Sequence, residues 1–265
     1  MSLEKFKLNG EVVIITGGAG LLGSQYVKAV QAINGFPVVL DIKVPVIENN
    51  MAYIPCDITK EKEVEKALKV IKGEHKRPVY GLINNAAIDP KFDKSNSGKQ
   101  ASRMEVYSRD AWDMEIAVGL TGAFLCTKIF GHEMAKLGKG SIVNISSVLG
   151  CVAPNQALYR KEGVADQDQP VKPVTYSVIK HGIIGLTKYT ATYWASKGVR
   201  CNALAPGGVY TTHSEEFVQK LSKYIPLGRM AQCDEYNSAI QFLLTDASSF
   251  MTGAVVNLDG GQTTW

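Results

Sequence analysis

Short apolar, β-branched runs alternate along this chain with segments of helical periodicity. "EVVIIT" is followed by the amphipathic "LLGSQYVKAVQAI", which predicts a helix to about Asn34. "PVVLD" and "AYIPCD" read as further strands, "KEKEVEKALKVIK" as a helix and "VYGLINN" as a fourth strand. A long helix is then predicted from about Arg109 to Lys136, "GSIVNIS" as a strand, and a helix from about Val174 to Ser196. "VRCNALAP", a helix around Asp234 to Leu244 and "AVVNLD" complete the series. Strands without a polar face belong to a parallel sheet that helices cover on both sides.

No composition shift marks a second domain, so residues 1–265 read as one α/β unit, and a 45% hydrophobic content supports a large core. Two long polar connections, Ile88 to Ser108 and Leu149 to Pro173, each follow a strand. Both should emerge at the carboxyl edge of the sheet, where open α/β folds bind ligands. With the segment 207–225, the stretches 88–108 and 148–173 are the candidate substrate loops.

The net charge of +4, without a long basic run, predicts no nucleic-acid and no membrane partner. Five separated cysteines lack any metal-ligand spacing and suit a reducing compartment. Neither a signal core nor an uninterrupted apolar run of about 18 residues is present, so a cytoplasmic protein is expected, with no metal site.

"TGGAGLLG" (Thr16 to Gly23) lies between a strand and a helix, where glycines permit a tight turn and close approach of a pyrophosphate to the backbone. Gly17, Gly20, Leu21 and Leu22 are the candidate phosphate contacts. A capping turn without a ligand would look the same on these residues alone. Asp41, ending the second strand, adds a carboxylate where ribose hydroxyls would be read. It would oppose a 2′-phosphate, since two unit charges about 4 Å apart repel by about 4 kcal/mol at an effective dielectric of about 20 before screening. NAD(H) is therefore expected over NADP(H), with Lys43 the one nearby cation against it.

Tyr176 and Lys180 share a helix face at i, i+4, which places an ammonium beside a phenol and favours phenolate. A second Y-x-x-x-K, Tyr193 with Lys197, lies on another face of the same helix, about 25 Å away at about 1.5 Å per residue. It reads as structural, with Lys197 complementing the helix dipole.

With "TGGAGLLG", "NNAA", "NISS", "YSVIK", "APGGVYT" and "MTGAVVNLDGG" in order, the chain resembles the short-chain dehydrogenase/reductase family from end to end. The resemblance implies a Rossmann fold, a doubly wound seven-stranded parallel sheet in three α/β/α layers. It also implies a Ser that holds the substrate oxygen, a Tyr acid/base, and a Lys that binds the nicotinamide ribose. Carried onto this chain these are Ser147, Tyr176 and Lys180, with Ser146 the alternative to Ser147. Asp57 and Ile58 match adenine contacts; Asn85, Ala86 and Ala87 line the adenosine side. Pro206, Gly207, Val209 and Thr211 match the nicotinamide segment, which Tyr176 and Lys180 also contact. A homo-oligomer, a tetramer or dimer through the two long helices, is implied as well.

This chain departs from the pattern in four places. The TGxxGxxG spacing is that of the family's extended branch on a body of compact length, and Ala87 replaces a usual glycine. Gly119 occupies a slot that usually holds Asn, whose role is to extend the proton relay behind the Lys; a retained but altered relay is expected. The Ser147 to Tyr176 interval carries a long insert with Asn155, Gln156, Arg160, Lys161, Glu162, Asp166, Asp168, Gln169 and Lys172. It reads as a hydrogen-bonding surface and points to a polar small-molecule substrate, a sugar or nucleotide-sugar derivative. Oxidoreductases that modify flagellin or surface polysaccharides show a similar arrangement. The leading reading is an NAD(H)-dependent oxidoreductase interconverting a secondary alcohol and a carbonyl. The alternatives are a low-turnover dinucleotide-binding regulator or scaffold, and a reductase of acyl-type carbonyls.

Overall fold

A computed structural model describes residues 3–44, 46, 50–75, 77–88 and 101–265; residues 89–100, part of the first polar connection, lie outside it. Seven strands form one sheet: β1 (Val12–Thr16), β2 (Phe36–Asp41), β3 (Ala52–Pro55), β4 (Val79–Asn84), β5 (Gly140–Ile145), β6 (Val199–Pro206) and β7 (Val255–Leu258). Their order is β3-β2-β1-β4-β5-β6-β7, and every pairing is parallel. The helices are α1 (Leu21–Ala32), α2 (Glu61–Glu74), α3 (Arg109–Ile116), α4 (Gly122–Leu137), α5 (Val174–Trp194), α6 (Glu215–Ser222) and α7 (Asn237–Leu244).

The continuous apolar strands are explained by cores on both faces. Val13 and Ile15 of β1 point toward Tyr26 and Val30 of α1 and Ile240 and Leu243 of α7. Val12 and Ile14 point the other way, toward Ile71 of α2 and Phe130 and Met134 of α4. Each fully buried aliphatic or aromatic side chain contributes about 1.5–3 kcal/mol relative to exposure, so neither face of β1 tolerates a polar residue. Strand order reverses between β1 and β4, and the crevice above that point opens among the carboxyl ends of the strands.

Three elements differ from the sequence expectation. The helix expected from Asp234 begins at Asn237, and α6 occupies part of the segment assigned to a substrate loop. Its signals are in the sequence: Ser214 caps it by accepting from the Phe217 amide, and Glu215 and Glu216 fill its first turn. The long helix from Arg109 to Leu137 is interrupted by a π-turn at Ala117–Thr121. By length and composition that helix could cross a bilayer, yet Leu125, Cys126, Phe130 and Met134 are buried within the fold.

The π-turn contains Gly119, which is buried. A Cβ on Gly119 would lie 2.8 Å from Cγ2 and 3.2 Å from Cδ1 of Ile179, the residue preceding Lys180. A side chain here, including the usual Asn, would therefore force Ile179 of α5 to shift. Gly119→Asn should lower the unfolding free energy by about 1–3 kcal/mol through overpacking. In denaturant melts, combining it with Ile179→Ala should cost less than the sum of the two single changes; strict additivity would contradict this contact.

Candidate active site

The turn after β1 is held by the turn after β4. The Thr16 hydroxyl accepts from the amides of Asn85 (3.0 Å) and Ala86 (3.1 Å), and the Asn85 side-chain amide donates to the carbonyls of Thr16 and Gly17, both at 3.0 Å. Gly17 has φ 66°, and a Cβ there would fall 2.8 Å from Ala86 Cα. A Cβ on Gly23 would collide with the Gly17 carbonyl, so α1 can start directly against the turn only with glycine at that position. No side chain caps α1, and Gly17, Gly20, Leu21 and Leu22 line a cavity of about 1170 Å³. An uncapped helix N-terminus facing a cavity fits a pyrophosphate.

Asp41 lies at the same end of the cavity. One carboxylate oxygen accepts from the Ala19 amide and the other from the Lys43 amide, each at 2.9 Å. These bonds fix the carboxylate and leave each oxygen a second lone pair for a ribose hydroxyl. Asp57 and Ile58 also line the cavity. Hydrogen bonds from Thr59, with Lys60 3.2 Å away, hold the Asp57 carboxyl below its usual range. Cys56 shares this wall, but burial pushes its thiol up to about 11, so it offers no thiolate there.

At the other end, Ser147, Tyr176 and Lys180 line the cavity together with Pro206, Gly207, Val209 and Thr211. The Lys180 ammonium donates to the Ile145 carbonyl at 2.8 Å and lies 5.6 Å from the centre of the Tyr176 ring. The Ser146 hydroxyl donates to the Lys180 carbonyl at 2.8 Å, and a Cβ on Gly150 would lie 2.6 Å from that same carbonyl. Ser146 thus anchors the strand to α5, whereas the Ser147 hydroxyl accepts from the Leu149 amide at 3.2 Å and keeps its proton to donate. Tyr193, stacked on Tyr189 at 5.7 Å and 62% exposed, is not part of this wall.

The insert differs from its sequence reading. Most of its polar groups build the insert itself: Arg160 pairs with Asp166, and the Gln169 side chain bonds both the amide and the carbonyl of Lys161. Asn155 caps a short turn, and Gln156 accepts from the Lys172 amide. Leu158 and Tyr159 line the cavity with Asn155 and Lys172, beside Phe217, Leu221, Tyr224 and Met230. Much of the segment's polarity reflects local loop closure, and aromatic and aliphatic side chains make up part of the wall at this end of the cavity. His213, stacked on Phe217 at 5.3 Å, and Trp265 complete it. Phe217 and Leu221 were findable from the i, i+4 apolar spacing behind the Ser214 cap; Trp265 carries no local signal.

The sequence profile described as "short chain dehydrogenase" matches residues 11–160. The chain belongs to the short-chain dehydrogenase/reductase family. As a member of that family it is an NAD(P)-dependent oxidoreductase, and a second profile, "Enoyl-(Acyl carrier protein) reductase", matches residues 164–263. It is similar to "Galactitol 2-dehydrogenase" of Rhizobium johnstonii, 30% identical over 99% of this chain and 98% of that one. It is also similar to "3-oxoacyl-[acyl-carrier-protein] reductase" of Synechocystis, 31% identical over 96% and 98% of the two chains. Among solved structures, a short-chain dehydrogenase from Leptospira borgpetersenii with bound NAD+ superposes with a TM-score of 0.85, at 28% identity over 99% and 96% of the chains.

In this short-chain dehydrogenase/reductase the two adjacent serines should separate cleanly by variant. Ser147→Ala should lower kcat/KM by about 10²–10³, the scale of one lost transition-state donor. Ser146→Ala should instead lower stability by about 1 kcal/mol. Turnover followed by nicotinamide absorbance, alongside melting curves of both variants, checks the division.

Proposed function

We propose that this protein is an NAD(H)-dependent dehydrogenase that interconverts a secondary alcohol of a polyhydroxylated substrate, a sugar or sugar alcohol, with its carbonyl. The observation that carries the reading is the arrangement of Ser147, Tyr176 and Lys180 around one end of a cavity whose other end presents the Asp41 carboxylate. The bound nicotinamide dinucleotide supplies the hydride acceptor in oxidation and the hydride donor in reduction. The Ser147 hydroxyl holds the substrate oxygen. Tyr176 as phenolate takes the hydroxyl proton when the carbinol C–H leaves as hydride, and as phenol returns a proton to the oxygen in reduction. The Lys180 ammonium, held at the Ile145 carbonyl, favours the phenolate and would bind the nicotinamide ribose.

Three further points belong to this reading. The fixed Asp41 carboxylate favours NAD(H) by accepting from ribose hydroxyls and repelling a 2′-phosphate. The names of relatives, galactitol and D-threitol dehydrogenases, support a polyol substrate. A homo-oligomer is supported by the exposed Phe124 of α4 and Val178, Tyr189 and Tyr193 of α5, apolar surface on the two long helices. A reductase of acyl-type carbonyls is the second reading, favoured by the Leu158, Phe217, Leu221 and Met230 wall.

The test is a panel of sugar alcohols, sugars, nucleotide sugars, hydroxy acids and acyl thioesters, assayed with each cofactor. Turnover of a polyol with NAD+ is expected, and Tyr176→Phe should lower it by about 10²–10⁴. Asp41→Asn should raise the relative preference for NADP+ by about tenfold or more, corresponding to about 1.4 kcal/mol. Turnover confined to acyl thioesters would favour the second reading. Retention of most activity in Tyr176→Phe would remove the assignment altogether.

A further inference from the structure

Tyr176 has two lysines against its ring. Lys180 lies one turn after it, with its ammonium 5.6 Å from the ring centre. Lys172, four residues before Tyr176, has its ammonium 4.0 Å from that centre, over the ring. Both lysines line the cavity; Lys180 is buried, whereas Lys172 is partly exposed.

The position of Lys172 is built into the fold. Its amide donates to Gln156 at 2.9 Å, and the preceding Val171 amide donates to Ser102 at 3.4 Å, so both ends of the insert and the connection after β4 hold this segment. Pro173 follows as the N-cap of α5, where its fixed φ limits the backbone at the helix entrance. The lysine therefore enters the cavity from a restrained stretch.

We infer that Lys172, held over the ring of Tyr176, is a second cation that favours the phenolate of the acid/base, and so acts as a positioning residue for proton transfer. The inference rests on the function proposed above for Tyr176. A cation over an aromatic face is attracted to the neutral ring. It is attracted more strongly once the phenol loses its proton, because the ring and oxygen then carry a full negative charge. Lys172 therefore lowers the pH at which Tyr176 becomes a base. Its partial exposure to water puts the effect at the low end of the range for a neighbouring charge, about one pKa unit.

The other titratable groups around this site are placed differently. Tyr159 of the insert, His213 after β6 and Tyr224 after α6 line the same substrate end. Asp41, Lys43 and Asp57 lie at the adenosine end. Behind the first turn of α5, Glu115 of α3 is bonded to Thr175 and to the Tyr107 hydroxyl. His213 is the imidazole on this wall, so His213→Gln belongs in the experiment as a control.

The test needs no known substrate. Tyrosinate absorbance is titrated in NAD+-saturated protein, and the curve of Tyr176→Phe is subtracted to isolate Tyr176. The same difference is measured in Lys172→Met, in Lys172→Gln as a second neutral variant should the first fail to fold, and in Lys172→Arg. The midpoint should rise by about one unit in the neutral variants and return toward wild type with Arg, with His213→Gln leaving that difference in place. With the alcohol that the panel identifies, the rise of kcat for oxidation should move to higher pH by the same amount while KM changes little. An unmoved midpoint overturns the role of Lys172 even in an active enzyme, as does failure of Arg to restore it. A KM raised at every pH with the midpoint unmoved would make Lys172 a substrate anchor instead. Inactivity toward the whole panel, or full activity of Tyr176→Phe, bears on the function of Tyr176 and leaves the spectroscopic midpoint to be judged separately.

Discussion

The active end of this molecule depends on one reciprocal tie between β5 and α5. The Lys180 ammonium donates back to the carbonyl of Ile145, the last residue of the strand, and the carbonyl of Lys180 accepts from the hydroxyl of Ser146, the next residue, both at 2.8 Å. Gly150 lets the chain after the strand pass against the same carbonyl, since a methyl there would collide with it. Both serines line the cavity, but this joint uses the Ser146 proton, while the Ser147 hydroxyl, which accepts from the Leu149 amide, keeps its own. Tyr176, one helical turn before Lys180, comes to the same place. Positioning, then, follows from a few hydrogen bonds whose partners are all buried or nearly so, where an unmade bond is costly.

Behind that joint, buried amides brace the middle of the sheet. The Asn84 side chain donates to Thr127 and to the Asn144 oxygen, and the Asn144 side chain donates to Thr187. Strands β4 and β5 are thereby fastened to α4 and α5 beneath the site. The glycine turn after β1 uses a separate device, Asn85 against Thr16 and Gly17, so the two ends of the cavity are organised by different parts of the chain.

Much of this was legible in the sequence because it rests on local rules. Alternating apolar runs predicted the strand set, and the glycine turn and the acidic residue at the end of the next strand, expected together, do line one cavity. Tyr176 and Lys180 followed from helical spacing. What escaped depended on tertiary approach. Gly119 appeared only as a missing Asn, and its reason, the side chain of Ile179 from another helix, exists only in the folded chain. The insert looked like a polar surface because hydrogen bonds that close a loop on itself use the same residues as those that bind a ligand. Lys172 was one charge among several until the entrance to α5 placed it over Tyr176.

The central claim is that this cavity transfers hydride from a carbinol carbon to NAD+, with Tyr176 taking the hydroxyl proton. The most direct measurement follows deuterium from a polyol labelled at its secondary carbinol carbons into the reduced nicotinamide by mass spectrometry. The account predicts NADH carrying one deuterium with wild type and label at background with Tyr176→Phe. Unlabelled NADH, or tight NAD+ binding with no reduction by any labelled alcohol, would contradict it.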